Sequence, residues 1–205
     1  MTRAEGAKTL SQSRKSAGKR DAILRAAIEI INAKSFALAT MTEIAATLDL
    51  RDAALYYYFP NKQALVHACH VSSLERFEAL LRGADELGGT GLAKLEHFLH
   101  ALLRDSGRNG PQLYFGDHSY LEEPQREAVA NWGEKLKGML EAFLREGMAD
   151  GSIVSCEASL VVQLLLGMLI WLAKWAPTVE GLTVDRLMTA IGVVSLSGLK
   201  SQAAS

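Results

Sequence analysis

The chain has 205 residues, enough for two modest domains, and its 49% hydrophobic and 22% charged content excludes an intrinsically disordered chain. The net charge of −1 conceals an asymmetry: residues 1–62 carry ten Lys and Arg against six Asp and Glu (+4), and the remainder twelve against seventeen (−5), so that a basic N-terminal part suited to phosphates sits on an acidic body. Cys69 and Cys156 are the only cysteines, which excludes a cysteine metal cluster and a secreted disulfide framework, and they read as buried thiols in a reducing cytoplasm.

Residues 1–18 hold Arg3, Lys8, Arg14 and Lys15 against Glu5 alone and read as a flexible basic arm, either frayed in solvent or reaching toward a nucleic-acid groove. They are polar and lack the apolar core of a secretory leader. The spacing predicts a first helix from near Lys19 to about Lys34, with Ile23, Ala27, Ile30 and Ile31 as its buried stripe. Lys19 and Arg20 at its start are candidate phosphate contacts.

Thr40 to Lys62 is the most informative stretch. Thr40 and Glu43 stand at capping-box spacing, so a helix begins at Met41, with Met41, Ile44, Ala45 and Leu48 on one apolar face. The pattern breaks at Asp49-Leu50-Arg51, where Asp49 is suited to a left-handed turn. A second short helix runs from about Asp52, a candidate cap, to Phe59, and Pro60 ends it. Two short helices joined by such a turn make a helix-turn-helix, whose second helix is sized for the major groove. Small Ala53 and Ala54 allow a close backbone approach to the bases, and Arg51 can fork onto a guanine. Tyr56, Tyr57 and Tyr58 are consecutive and fan around the helix, so one can pack inward while the others offer hydroxyls to phosphates. Asn61 is placed to cap the next helix beside Lys62, where amides and charge both suit a phosphate.

These residues resemble the DNA-binding domain of TetR-family transcriptional regulators. The resemblance rests on Ile23-Leu24, Ala26-Ala27, Thr40, Ile44-Ala45, Leu55-Tyr56, Tyr58-Phe59 and Lys62, over roughly residues 19–66. It departs from the family pattern in having Asp49 where a turn glycine is usual, Arg51 where a serine cap is usual, and Tyr58 where histidine is frequent. The resemblance implies an all-α fold: a helix-turn-helix DNA-binding domain over 19–62, and a ligand-binding and dimerisation domain over 63–205, with about nine helices in all. In this reading Thr40, Tyr56, Tyr58 and Lys62 contact phosphates, while Thr42, Arg51, Ala53, Ala54 and Tyr57 read bases.

The body continues in helices. One is predicted from Lys62 to Arg82, free of Gly and Pro, and another from about 91 to 105, followed by a breaker cluster over Ser106–Pro111. Gln112–Tyr120 reads as a short helix or irregular segment. Pro124 opens a long helix to about Asp150, which Gly151 stops. Cys156–Trp175 follows, with sixteen uncharged residues between Glu157 and Lys174, short of the roughly 20 that span a bilayer. A helix apolar on nearly all faces and too short for a membrane is expected to be buried in an oligomer. The last helix starts at Thr183 as cap, with Leu182 and Leu187 as a staple and Ile191, Val194 and Leu199 as its stripe, to about Lys200. By the family resemblance, the last two helices form a homodimer bundle.

No Gly-rich phosphate loop, nucleophile elbow, H-E-x-x-H or repeated Glu-x-x-His motif is present, so no catalytic residue and no cofactor is assigned. His67/His70 and His97/His100 are each three apart, and with His118, Cys69 or Asp117 they give an alternative metal-sensing reading. A further alternative is an enzyme or binding protein on a helical bundle with a vestigial helix-turn-helix. The favoured effector site is an apolar pocket lined by Phe77, Phe98, Tyr114, Phe115, Trp132, Trp171 and Trp175. The stretch Gly167–Leu187 resembles members of the family that respond to fatty acyl-CoA or related thioesters. The function expected is a cytoplasmic, ligand-released repressor on a near-palindromic DNA operator.

Overall fold

The computed structural model describes residues 3–113 and 118–196, and these are all-α: eight α-helices, a 3₁₀ turn at Ala176–Thr178, a π-type segment at Gly192–Leu196, and no strand. The chain divides into two compact units, Met1–Ser72 and Ser73–Ser205. The division falls inside a helix, ten residues beyond the predicted boundary at Lys62.

In the first unit α1 spans Arg3–Lys34. It begins sixteen residues before the predicted start, so the expected flexible arm is helical from Arg3. The reason lies in composition: no proline occurs before Pro60, and the Ala, Lys, Thr, Leu, Ser, Gln and Arg between Gly6 and Gly18 give nothing to stop the helix. Ser35, at φ 83°, ends it, with its amide donating to the Ile31 carbonyl at 2.8 Å. Ile23, Leu24, Ala27, Ile28 and Ile31 are buried, whereas Ile30 is only half-buried. α1 packs on α2 (Met41–Thr47), and α2 on α3 (Asp52–Tyr58). α4 (Lys62–Leu87) starts where the Asn61 carboxamide accepts from the Ala64 amide at 2.7 Å.

In the second unit the rest of α4 is followed by α5 (Gly91–Asn109), α6 (Glu123–Asp150), α7 (Ala158–Trp175) and α8 (Val184–Ile191). Ser106 to Asn109 of the expected breaker cluster lie inside α5, which ends only at Gly110, φ 79°. Ser106 and Gly107 lower helix propensity without forbidding it, and proline comes only at 111. Of the segment expected as a short helix or irregular stretch from Gln112 to Tyr120, residues 112–113 and 118 are irregular and 119–120 turn, and Tyr114 to Asp117 lie outside the described residues. The core is built from Leu74, Phe77 and Leu81 of α4, Leu95, Phe98, Leu99 and Leu102 of α5, Leu136, Leu140 and Leu144 of α6, and Val162, Leu165 and Leu169 of α7. α5 lies so close to α6 that a Cβ built on Gly91 would stand 2.1 Å from the Gly147 amide nitrogen. Lys94 bridges Asp85 and Glu146, each at 2.7 Å, and ties α4, α5 and α6 together.

The Thr183 hydroxyl caps α8 by accepting from the Arg186 amide at 3.2 Å. One expectation is not met within this single chain. Val194, predicted to be on the buried stripe, is 78% exposed, because the chain passes from α-helix to the π-type segment at Gly192 and the 3.6-residue phase is lost. Leu199 and Lys200 lie outside the described residues. α7 buries Val162, Leu165, Leu166, Leu169 and Leu172, but within this single chain Leu160, Leu164 and Trp171 are exposed and Trp175 partly so. No described helix is long and apolar enough to cross a membrane.

Candidate nucleic-acid interface

The turn between α2 and α3 is set by one residue out of the ordinary. Asp49 sits at φ 54°, with its amide donating to Ala46 at 3.2 Å and the Leu50 amide donating to Ala45 at 2.9 Å. This pair of bonds is a Schellman ending, so Asp49 fills the place that glycine would take with less strain. Above it, the Thr40 hydroxyl accepts from the Glu43 amide at 3.1 Å, but the reciprocal half of the predicted capping box is not made. The Glu43 carboxylate is drawn instead to Lys34 Nζ at 2.5 Å, a charged donor being the stronger partner.

α3 is held by Leu55, fully buried, and by Phe59, also buried. Arg51 rather than Asp52 occupies the cap position and makes no side-chain cap bond. Asp52 is displaced from that role by Thr42, whose hydroxyl donates to its carboxylate at 2.7 Å and so links α2 to α3. The remaining groups face outward. Thr40, Thr42, Arg51 and Ala53 are exposed, Ala54 is half-buried at the base of the helix, Tyr57 is 82% exposed, and Tyr56 is about half exposed. Tyr58 is half-buried and meets the Tyr57 ring edge-on at 5.2 Å. Thus Leu55 and Phe59 supply most of the inward packing, and Tyr58 is the one tyrosine partly turned inward. Arg20 lies over the Phe59 ring at 5.1 Å, which brings a cation from α1 beside the C-terminal end of α3.

Lys62 is the departure. Its ammonium stands 4.2 Å from the Phe36 ring centroid and 3.5 Å from the Ala37 carbonyl, and burial lowers its pKa. It must leave these contacts to meet a phosphate. Cys69 is buried, with its thiol toward the Leu24 carbonyl at 3.8 Å, and burial pushes its pKa well above the usual range. An inert structural thiol is the consequence. Among the described residues no three His, Cys, Asp or Glu side chains gather to hold a metal.

The second unit contains a cavity of about 430 Å³. α5 contributes Leu102, Leu103, Ser106 and Gly107, followed by Pro111. α7 and the 3₁₀ turn contribute Leu169, Leu172 and Ala176. The connection to α8 and α8 itself contribute Val179, Gly181, Leu182, Thr183, Val184 and Leu187. None of the predicted aromatic residues that are described lines it. Phe77 and Phe98 are spent in the core, with their rings 5.0 Å apart. Trp132 donates to Glu78 at 2.6 Å, Trp171 is 63% exposed, Trp175 is partly exposed, and Tyr114 and Phe115 lie outside the described residues. Leucines at helical spacing read as core in a sequence; only the breaker cluster over Ser106–Pro111 coincided with part of the cavity wall.

Next to this cavity, α4 grips the end of α5. The Arg76 guanidinium pairs with Asp105 and donates to the Gly110 carbonyl at 2.9 Å. The Gln112 carboxamide approaches Asp105 at 3.4 Å, and the Leu113 amide donates to the buried Ser73 hydroxyl at 2.8 Å. The sequence pattern does not announce this cluster, since partners 29 residues apart leave no local signature.

Residues 23–69 match the model of bacterial regulatory proteins of the tetR family, and residues 88–191 match that of tetracyclin repressor-like C-terminal domains. Over 137 residues the chain is 27% identical to the nucleoid occlusion factor SlmA of Marinobacter nauticus, covering 63% of this chain and 68% of that protein. The fold is shared with the TetR-family transcriptional regulator PfmR of Thermus thermophilus, at TM-score 0.71 and 23% identity over 87% of this chain and 98% of the other. It is also shared with AibR in complex with isovaleryl coenzyme A and operator DNA, at TM-score 0.71 and 21% identity over 86% and 97% of the two chains.

Proposed function

The chain belongs to the tetR family of bacterial regulatory proteins, and from that premise we propose that it is a ligand-responsive repressor that binds a near-palindromic operator as a homodimer. The observation that carries the DNA-binding reading is the α2–turn–α3 unit. Leu55 and Phe59 anchor it, Asp49 turns it, and Thr40, Arg51, Ala53, Tyr56 and Tyr57 stand exposed on it. Arg51 reads a base edge beside Ala53, Ala54 and Tyr57. Thr42 contributes through its hydroxyl lone pairs, its proton being directed to Asp52. Thr40, Tyr56, Tyr58 and Lys62 serve the backbone, Lys62 after swinging from Phe36.

The homodimer forms through the exposed apolar face of α7, extended by Val193 and Val194, and places two α3 helices on half-sites a helical turn or more apart. An effector in the second unit favours a dimer whose α3 helices are mis-spaced, to the extent of its differential affinity for the two states. AibR, with a ligand and operator DNA in one complex, supports the pairing of these two functions in this fold.

The test is substitution on a selected operator. Arg51→Ala should relax preference at one base pair per half-site by about 1–3 kcal/mol. Lys62→Ala should weaken all duplexes alike and lower the salt slope by about 1 for each phosphate no longer neutralised. An unchanged preference profile for Arg51→Ala would remove Arg51 from base readout.

A further inference from the structure

We propose that the cavity between α5 and the α7–α8 segment is the effector site and that its ligand is an uncharged aliphatic molecule; this rests on the ligand-responsive reading above. The argument is the chemistry of the wall. Leu102, Leu103, Leu169, Leu172, Leu182 and Leu187 dominate it, and among the described residues none that lines it carries a charge or an aromatic ring. A carboxylate or phosphate inside would lose hydration and meet no counter-charge among the described wall residues. An aromatic ligand would find no ring to stack on among the described wall residues.

Two hydroxyls remain among the described lining residues, Ser106 and Thr183. Thr183 already accepts from the Arg186 amide, so its proton can be donated to an alcohol, ester or ketone oxygen. The Gly181 carbonyl, also in the wall, is taken by the exposed Arg186 guanidinium at 2.6 Å. The volume of about 430 Å³ lies within the ~300–1,000 Å³ of small-molecule sites.

The site also has a route outward. Ser106, Gly107 and Pro111 of its wall belong to the segment that Arg76 of α4 holds through Asp105 and the Gly110 carbonyl. A ligand seated against them acts on the clamp, and through it on α4.

The experiment uses the full chain and a series of 1-alkanols from hexanol to dodecanol, with octanoate and 2-naphthol as contrasts. Binding is read by calorimetry and operator affinity by fluorescence anisotropy. Affinity should rise about fourfold per methylene until the cavity is filled. Octanol should bind at least tenfold tighter than octanoate or 2-naphthol, and saturating decanol should weaken operator binding at least tenfold. Ala176→Phe, which fills the cavity, should cost decanol at least tenfold in affinity, with helical circular dichroism as the folding control. Val184→Ala, which enlarges it, should move the best chain length upward. Arg76→Met should reduce the decanol effect on the operator to less than twofold.

Octanoate binding as tightly as octanol overturns the ligand class. Affinities indifferent to both Ala176→Phe and Val184→Ala overturn the site. Undiminished release in Arg76→Met overturns the clamp as its route. A chain that selects an operator but takes none of the alkanols keeps the DNA-binding reading and overturns this one. Cavity-dependent alkanol binding with no selectable operator does the reverse.

Discussion

Glu78 on α4 accepts hydrogen bonds from Lys135 at 2.8 Å, from Arg82 at 2.6 Å and from the Trp132 indole at 2.6 Å. Lys135 first, then Arg82 and Trp132, hold its carboxyl down to about 2 against an ordinary 4.5. A depressed carboxyl contributes stability that is complete above its unfolded value and lost as pH falls toward its folded one. Urea denaturation of Glu78→Gln should therefore show a deficit relative to the parent that is full above pH 4.5 and closes between pH 4.5 and 2. A deficit independent of pH would mean that Glu78 acts by packing alone. Residues of this kind were only partly legible in the sequence. Asp49 could be read as a left-handed turn residue because the interrupted apolar pattern places the turn there, and its φ of 54° agrees. Lys62 could not be read fully. Its neighbour Asn61 is a local cap, but the ring of Phe36 that holds its ammonium is supplied by the distant loop between α1 and α2.

At the scale of elements, α5 and α6 meet through glycine. The Cβ that Gly91 lacks would overlap the Gly147 nitrogen at 2.1 Å and the Phe143 carbonyl oxygen at 2.3 Å, both backbone atoms that cannot rotate away. The Gly91 amide is also fixed to the Asp150 carboxylate at 2.8 Å. Gly91→Ala should thus destabilise the chain by about 3 kcal/mol, at the upper end of overpacking costs. Chemical denaturation would check this, and a loss below ~0.5 kcal/mol would show that the two helices are free to separate. Helix starts were legible wherever a cap or Pro marks them, as at Met41, Lys62, Pro124 and Val184, because capping is local chemistry. Helix extents without such marks were not. α1 runs back to Arg3 and α5 on to Asn109 because Gly and Ser weaken a helix without ending it.

At the scale of the molecule, the apolar stripe of α7 was legible as a run but not as a face. Leu160, Leu164, Trp171 and Trp175 fall within about 60° of one another around the helix, at ~100° per residue. In the proposed homodimer this face is covered by its symmetry mate. Leu164→Glu should yield monomers in sedimentation and weaken operator binding, whereas a dimer that persists would place the interface elsewhere. The cavity proposed as the effector site was the least legible feature: its wall is mostly aliphatic, indistinguishable in sequence from core, while Phe77, Phe98 and Trp132 went to packing and Trp171 and Trp175 toward the surface. The measurement that bears most directly on the whole account is selection of binding sites from random duplex DNA at near-physiological salt. A dimeric regulator should enrich one near-palindromic motif and bind it with a Kd of roughly 10⁻⁸ M or tighter, the range of specific complexes. No enriched motif, with binding left at the non-specific level of roughly 10⁻⁴–10⁻⁶ M, would contradict it.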